Sequence, residues 1–219
     1  MNPVAKRSIT ALSTAALVVL AIIFAPVSVI RGAVWVLSAL AMVEFALLLR
    51  RKIRPFSPSG FCLSLIGAFV ICFGLGALSV AAKLHGNLMM LYLIAIVKFS
   101  DMGGFVFGLS SARLMKGGNH KLCPTISPNK SWEGLLGSVI ASVLMSAAFM
   151  PITHFACPKA LAFGVVAALV GTFGDLVESK FKRWVGVKDS ATFMPAGLGG
   201  FLDMVDSLLF APALLLPFV

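Results

Sequence analysis

Long apolar runs separated by short basic segments dominate this 219-residue sequence and restrict the folds open to it. Hydrophobic residues make up 59% of the chain and charged residues only 12%, whereas soluble domains average about 25% charged residues. A run of about 20 apolar residues is long enough to cross the hydrocarbon core of a bilayer as a helix. Because the strict alternation of a membrane barrel is missing, the sequence predicts an all-α, polytopic transmembrane helical bundle.

The basic residues predict how the spans are oriented. If the N-terminus is cytoplasmic, the inner segments carry 14 of the 18 Lys and Arg residues, the outer segments carry three, and Lys98 lies in a span. This distribution satisfies the positive-inside rule. We predict about seven spans, close to residues 9–30, 33–49, 61–82, 88–110, 134–152, 160–178 and 201–219, with a turn at Arg31 and Gly32.

The whole chain is predicted to be one integral membrane domain, in which residues 1–87 form the N-terminal spans and residues 88–219 carry the polar motifs. The net charge of +10 is accounted for by basic loops that fix topology and attract anionic lipid. We therefore expect no nucleic-acid partner. The four cysteines show no paired metal-ligand spacing and are interpreted as packing residues.

Acidic residues concentrate near the C-terminal end of the chain. Glu44 is the only acid in the first hundred residues, and the other seven fall in predicted cytoplasmic loops or in the inner halves of spans. Ionisable groups inside spans are costly and usually functional. The distribution therefore predicts a polar site at the cytoplasmic face.

Two pairs of acids have the spacing of residues on one helix face: Asp175 with Glu178, and Asp203 with Asp206. Two helix ends that meet there could present several carboxylates to one or two hard cations such as Mg²⁺. The alternative is that Asp203 and Asp206 only stabilise a helix N-terminus. That alternative does not explain Asp175 and Glu178, which lie at the C-terminal end of a predicted helix.

Basic residues and a Gly-rich turn lie between the two pairs of acids. Lys182, Arg183 and Lys188 are candidates to bind phosphate groups, although a basic cytoplasmic segment can also serve topology alone. The turn ends with Gly199 and Gly200, where the missing side chains would let a phosphate approach backbone N–H groups.

Two further polar features lie upstream. Asp101 follows Lys98 by one turn of a predicted span, and two interpretations remain open: an ion pair buried for packing, or a polar wall of the site. Lys130 is a candidate triphosphate contact, and Ser131 is placed to cap the next helix.

Four motifs, in order over about residues 90–219, carry a family resemblance. They are Ser100-Asp101-x-Gly103-Gly104; Ser127-Pro128-Asn129-Lys130-Ser131-Trp132-Glu133-Gly134; Gly174-Asp175-x-x-Glu178-Ser179; and Ser179-x-Phe181-Lys182-Arg183 with Lys188-Asp189, Pro195 and Gly199-Gly200-x-x-Asp203-x-x-Asp206-Ser207. Together they resemble the motifs of the phosphatidate cytidylyltransferases, or CDP-diacylglycerol synthases. That family converts CTP and phosphatidic acid into CDP-diacylglycerol and pyrophosphate.

The resemblance implies roles for individual residues, an Mg²⁺ cofactor with room for a second, monovalent or divalent cation, and a place in the inner (cytoplasmic) membrane. CTP, phosphatidic acid and the lipid bilayer are the implied partners, and a homodimer is left open. The implied catalytic residues are Asp175, Asp203, Lys182, Arg183, Lys188 and Asp189. The implied substrate-binding residues are Lys130, Ser179, Gly199, Gly200 and Asp101, and the implied metal ligands are Asp175, Asp203, Glu178 and Asp206.

The chain departs from the family pattern at two positions. The family commonly has Pro-Gly-His-Gly-Gly followed by Asp-Arg, whereas this turn is one residue longer. Leu198 stands where the family has His, and Met204 stands where it has Arg. The acids implied as metal ligands are all retained.

Two other classes of function use part of the same pattern. An ion-coupled transporter also uses carboxylates between helices, but it predicts polar residues in the outer halves of the spans, where this chain has almost none. A CTP-dependent lipid kinase would transfer the γ-phosphoryl group and release CDP instead of pyrophosphate. Only the motif resemblance separates the kinase from the cytidylyltransferase.

Overall fold

The computed structural model describes residues 16–53, 57–115, 118–187, 190 and 200–219. Residues 16–24 form the first described helix, α1, and Pro26 separates it from α2, Val27–Arg50. The turn predicted at Arg31 and Gly32 is wrong, since both residues lie inside α2. The break falls at Pro26 because proline lacks the N–H that a continuing helix would need.

Two long helices follow, joined by a single residue. Helix α3, Pro58–His85, begins at Ser57, whose hydroxyl oxygen accepts a hydrogen bond from the Gly60 N–H at 3.1 Å. Helix α4, Asn87–Leu114, begins directly after Gly86. Gly86 has φ +86°, a left-handed conformation that glycine adopts without a steric penalty. The chain therefore reverses between two predicted spans at one glycine.

A short β-hairpin, which the sequence did not predict, lies between α4 and α5. Strand β1, Lys121–Cys123, pairs antiparallel with β2, Ser127–Ser131. Helix α5, Trp132–Ala148, starts immediately after β2. As predicted, Ser131 caps it: its hydroxyl oxygen accepts from the Gly134 N–H at 3.0 Å. The hairpin is thereby fixed to the start of α5.

The C-terminal part contains one long helix and several short ones. Helix α7 is longer than the predicted sixth span, so residues 179–183, which were predicted to lie in a loop, continue the helix that carries Asp175 and Glu178. The predicted seventh span is broken into short pieces. The elements are α6, Met150–Thr153; α7, Cys157–Val185; α8, Phe201–Val205; a 3₁₀ turn, Asp206–Leu208; α9, Ala211–Leu215; and a second 3₁₀ turn, Leu216–Phe218.

Within the described residues, five helical segments are long and apolar enough to cross a membrane: Val27–Arg50, Pro58–His85, Asn87–Leu114, Cys157–Val185 and Phe201–Phe218. Helix α5 is apolar but shorter, at 17 residues. The prediction of an all-α, polytopic membrane protein is confirmed. The count of seven spans and the cytoplasmic N-terminus stay predictions.

Helices α4 and α5 approach each other closely through glycines. A Cβ atom added to Gly137 would lie 2.7 Å from the Gly103 carbonyl oxygen and would also clash with Phe107. Small residues allow such close contact between membrane helices. The contact holds the hairpin, at the start of α5, beside the part of α4 that carries Gly108.

Candidate active site

Three of the four predicted metal ligands lie together where α7 meets the 3₁₀ turn after α8. Asp175, Glu178 and Asp206 each offer a carboxylate oxygen, and these oxygens lie within 4.8 Å of one another. The two chain segments can approach because Gly174 has no side chain: a Cβ atom there would lie 2.7 Å from the Asp206 carbonyl oxygen. We call Asp175, Glu178 and Asp206 the carboxylate group.

Asp203 is not a member of the carboxylate group. Its Oδ1 atom lies 2.7 Å from the Lys182 Nζ atom. Its Oδ2 atom accepts from the backbone N–H groups of Gly200, at 2.9 Å, and Ser190, at 3.1 Å. Asp203 therefore caps the start of α8, as the alternative interpretation held. Its role as a metal ligand stays a prediction.

Lys182 connects the carboxylate group to Asp203. Its Nζ atom lies 2.7 Å from Glu178 Oε2 and 2.7 Å from Asp203 Oδ1, and its side chain is 13% exposed. Because Glu178 is on α7 and Asp203 is on α8, this one ammonium group links the two helices.

The carboxylate group has the donors that a hard divalent cation prefers. Glu178 is buried, and no hydrogen-bond partner of its Oε1 atom is found among the described residues. A buried carboxylate oxygen without a donor is unfavourable unless a cation or another polar group pairs with it. Oxygen ligands from one or two carboxylates, completed by substrate phosphates, are typical of Mg²⁺ sites. The residues present therefore fit such an ion.

Lys130 reaches this group from the hairpin. Its Nζ atom lies 2.5 Å from Asp175 Oδ2 and donates to the Thr172 carbonyl oxygen at 3.3 Å. On the other side of Asp175, the Ser179 hydroxyl donates to Oδ1 at 3.4 Å. The structure thus brings Lys130, from the hairpin, to Asp175 and Ser179, which lie one turn apart on α7.

The contacts of Asp101 agree in part with each of the two interpretations left open by the sequence, an ion pair with Lys98 and a polar wall of the site. It pairs with Lys98 at 3.5 Å, but both side chains are more than one-third exposed, so the pair is not buried. Asp101 Oδ2 also accepts from the Ser207 hydroxyl at 2.8 Å. Lys98 donates to Ser207 Oγ and to the Met204 carbonyl oxygen, each at 3.0 Å. Both residues therefore hold the turn that follows α8.

Two concave spaces adjoin different faces of α7. A cavity of about 270 Å³ is lined by polar side chains from α4, the hairpin and α7, among them Asp101, Ser127, Asn129, Lys130 and Asp175. A groove of about 240 Å³ lies between α2, α3, α7 and the C-terminal segment. Its lining is apolar apart from Glu178, and includes Phe45, Ile66, Val70, Phe181 and Phe210.

The remaining predicted residues are not assembled with the carboxylate group. Arg183 is exposed, and its Nη1 atom donates to the Val187 carbonyl oxygen at 3.5 Å, at the end of α7. Gly200 lies at the start of α8. Lys188, Asp189 and Gly199, as well as Leu198, lie outside the described residues.

Sequence reasoning missed two polar residues near the site. Glu44 on α2 is fully buried and accepts from the Leu202 N–H at 2.9 Å. The sequence feature that could have identified it is that it is the only acid in the first hundred residues.

The second residue is His120, before β1, whose Nδ1 atom lies 2.6 Å from Glu133 Oε1. This hydrogen bond lowers the pKa of the Glu133 carboxyl group to about 2. The segment before the hairpin is therefore held to α5 by a side-chain hydrogen bond as well as by chain connectivity.

Comparison with known proteins gives consistent results. A family model described as the cytidylyltransferase family matches residues 3–219. The phosphatidate cytidylyltransferase of Staphylococcus saprophyticus is 38% identical over 186 residues, covering 82% of this chain and 67% of that protein. The Staphylococcus haemolyticus protein of the same name is 37% identical over the same shares. That of Staphylococcus aureus strain COL is 42% identical over 128 residues, or 58% of this chain and 46% of that protein.

Proposed function

The chain belongs to the cytidylyltransferase family, and on that premise we propose that it transfers the cytidylyl group of CTP to phosphatidic acid, giving CDP-diacylglycerol and pyrophosphate. One observation carries this proposal beyond family membership. Helix α7 contributes Asp175 to a polar cavity and Glu178, one turn later, to an apolar groove. A reaction between a water-soluble nucleotide and a membrane lipid needs two such spaces that meet at one set of charged groups.

We assign the polar cavity to CTP. It is lined by an amide, several hydroxyl groups and the Lys130 ammonium group, which can donate hydrogen bonds to a base, a ribose and phosphates. Its glycines, Gly104 and Gly134, leave space where α4 and α5 meet. Lys130 provides a cation for the triphosphate because it lies at the end of the cavity next to Asp175.

We assign the apolar groove to an acyl chain of phosphatidic acid. Its wall is formed by aromatic and aliphatic side chains of α2, α3, α7 and the C-terminal segment. Because an acyl chain in the bilayer is already surrounded by hydrocarbon, it can enter such a groove without losing apolar surroundings, and van der Waals packing against the wall holds it there. Since Glu178 belongs both to the groove wall and to the carboxylate group, a lipid held there would place its headgroup near that group.

The chemistry requires no nucleophilic side chain. An oxygen of the phosphatidic acid monoester attacks the α-phosphorus of CTP, the bond from that phosphorus to the β-phosphate bridging oxygen breaks, and pyrophosphate leaves. Lys130 and Lys182 reduce the repulsion between the two polyanions. We propose that Asp175, Glu178 and Asp206 hold Mg²⁺, which when bound would stabilise negative charge at the α-phosphorus and on the leaving group. We also propose that Asp203 is a metal ligand and that a second cation can bind at the site.

We also propose that the site faces the cytoplasmic side of the inner membrane. The predicted distribution of Lys and Arg favours a site that faces the cytoplasm, where CTP is available. The bacterial relatives favour the inner membrane. A homodimer would bury part of the exposed apolar surface, but lipid can cover the same surface.

The experiment that tests the proposal follows label from CTP into lipid. Purified protein in mixed micelles receives phosphatidic acid, Mg²⁺ and CTP labelled on either the α- or the γ-phosphate, with and without EDTA. We expect the α-label to enter lipid, the γ-label to leave as pyrophosphate, and EDTA to stop transfer. Entry of the γ-label into lipid would identify a kinase instead, and the absence of both labels from lipid would refute group transfer to phosphatidic acid.

A further inference from the structure

Glu44 is a fully buried carboxylate on α2, more than 130 residues before the carboxylate group in the sequence. Its Oε2 atom accepts from the Leu202 N–H at 2.9 Å, and the Ser190 hydroxyl lies 3.4 Å from the same atom. Leu202 is in the first turn of α8, where backbone N–H groups have no partner within the helix. Glu44 thus supplies, from another helix, an acceptor that α8 lacks.

Gly200 shows how closely the Glu44 side chain approaches the start of α8. A Cβ atom added to Gly200 would lie 2.5 Å from Glu44 Oε2 and 2.6 Å from Oε1, and would also clash with the Ser190 hydroxyl. Any side chain at this position would displace the carboxylate. A glycine is therefore required by the contact with Glu44, independently of any phosphate.

Glu44 and Asp203 both accept hydrogen bonds from Ser190 and from the start of α8. Asp203 accepts from the N–H groups of Ser190 and Gly200, while Glu44 accepts from the Ser190 hydroxyl and the Leu202 N–H. Two carboxylates therefore fix the point where the chain enters α8. The helix that follows leads directly into Asp206 of the carboxylate group.

A packing role alone does not account for an acid at this position. Burial of a carboxylate inside a membrane protein is costly, and an apolar residue of similar size would fill the space on α2 without that cost. The hydrogen-bond acceptor is the property that Leu lacks and Glu provides.

We propose that Glu44 is a positioning residue for cytidylyl transfer: by holding Gly200–Leu202 from α2, it sets the position of Asp203 and Asp206 at the metal site. It touches neither substrate nor metal. The activity readout rests on the proposed function, but the structural readout below does not.

The test compares Glu44→Leu, which removes the acceptor, with Glu44→Gln, which keeps one acceptor oxygen. Ser38→Ala is the matched control, because Ser38 is a buried polar residue of the same helix whose hydroxyl, among the described residues, donates to the Val34 carbonyl oxygen four residues earlier. Amide hydrogen exchange of residues 200–206 is measured without substrate or metal. Label transfer is then measured as a function of Mg²⁺ and CTP concentration.

For Glu44→Leu we expect faster exchange in residues 200–206 with unchanged protection in α3 and α7. We expect kcat to fall about 100-fold, as for a displaced catalytic group. The Mg²⁺ concentration for half-maximal activity should rise about 10- to 100-fold, as when a supporting residue of a metal site is lost. KM for CTP should stay unchanged because the polar cavity is formed by other elements. Glu44→Gln should recover most of the activity, and Ser38→Ala should match the wild type.

A double-mutant cycle keeps the proposal open to refutation if Glu44→Leu folds poorly. Gly200→Ala should show the same exchange and Mg²⁺ phenotype, and Glu44→Ala combined with Gly200→Ala should be no worse than the worse of the two single variants, because each change by itself disrupts the same contact. Additive losses, or unchanged exchange in residues 200–206, would overturn the proposal. Absence of transfer by the wild-type protein would refute the proposed function, while the exchange result would still decide the role of Glu44.

Discussion

Substitution of Lys182 by Met tests whether the ammonium group is needed to hold the site together. The Lys182 Nζ atom lies 2.7 Å from carboxylate oxygens of both Glu178 and Asp203, and the side chains of these two acids are 2% and 18% exposed. Met has a similar length and fills the same space. The substitution therefore removes the charge and leaves a buried carboxylate, Glu178, and a partly buried one, Asp203, without their shared cation.

The expected cost follows from that burial. Removal of one partner of a buried ion pair typically destabilises a protein by about 3–5 kcal/mol. Asp203 keeps two backbone N–H donors, so we expect the lower end, about 3 kcal/mol, which is a change of more than about 100-fold in the folding equilibrium. Lys180→Met is the matched control, because Lys180 is exposed on the same helix and should change stability by less than about 0.5 kcal/mol.

The assay is equilibrium unfolding in mixed micelles of a mild detergent and dodecyl sulfate, followed by circular dichroism. A second variant separates the ion pair from catalysis: Lys182→Met combined with Glu178→Gln should recover most of the stability but none of the label transfer. If Lys182→Met is no less stable than Lys180→Met, Lys182 does not link α7 to α8 and the reasoning from burial is wrong.

Three further predictions concern other parts of the site. Asp175→Asn should raise the Mg²⁺ concentration for half-maximal transfer by at least about tenfold, and an unchanged Mg²⁺ dependence would exclude Asp175 as a ligand. Gly103→Ala should destabilise the protein by about 1–3 kcal/mol in the unfolding assay, since the new methyl group overpacks the contact between α4 and α5; Gly32→Ala, which meets no atom within 4 Å, should instead be neutral or stabilising. Because the pKa of Glu133 is lowered to about 2 by its hydrogen bond with His120, its contribution is complete above the ordinary carboxyl pKa and is lost only as the pH falls toward 2. The carboxylate of Glu133 also accepts from the His120 backbone N–H at 3.2 Å. Hydrogen exchange of the His120 amide should therefore stay slow from pH 7 to pH 5, after correction for the intrinsic rate, and loss of protection at pH 5 would contradict this assignment.

The sequence was sufficient for the fold class and for most of the carboxylate group. Apolar runs predict helices in a membrane because no other segment satisfies its own backbone there. Asp175 and Glu178 could be placed on one helix face because α7 is regular through both residues. Ser131 was recognised as a cap because the required hydroxyl lies directly before the helix that it caps.

The different roles of Asp203 and Asp206 could not be predicted from their spacing. The same i, i+3 spacing suggests one shared face, but Asp203 lies in the first turn of α8, where free backbone N–H groups compete for its oxygens. Asp206 is the first residue of the 3₁₀ turn that follows α8. Its carboxylate lies beside those of Asp175 and Glu178 instead. The contact of Lys182 with Asp203 could not be predicted either, because it depends on how α8 packs against α7.

Glu44 shows where a division of the chain by motifs fails. The predicted boundary between residues 1–87 and 88–219 separates an apolar half from a half with recognisable polar motifs, and Glu44 lies in the apolar half. Among the described residues, Glu44 accepts hydrogen bonds from a backbone N–H and a serine hydroxyl. Neither group is charged, so the sequence pattern does not indicate either of them as a partner of an acid. The carboxylate of α2 nevertheless lies against Gly200, within the C-terminal motif. The N-terminal helices therefore contact the site directly, and a substitution on α2 can alter the geometry of residues that lie more than 150 positions later.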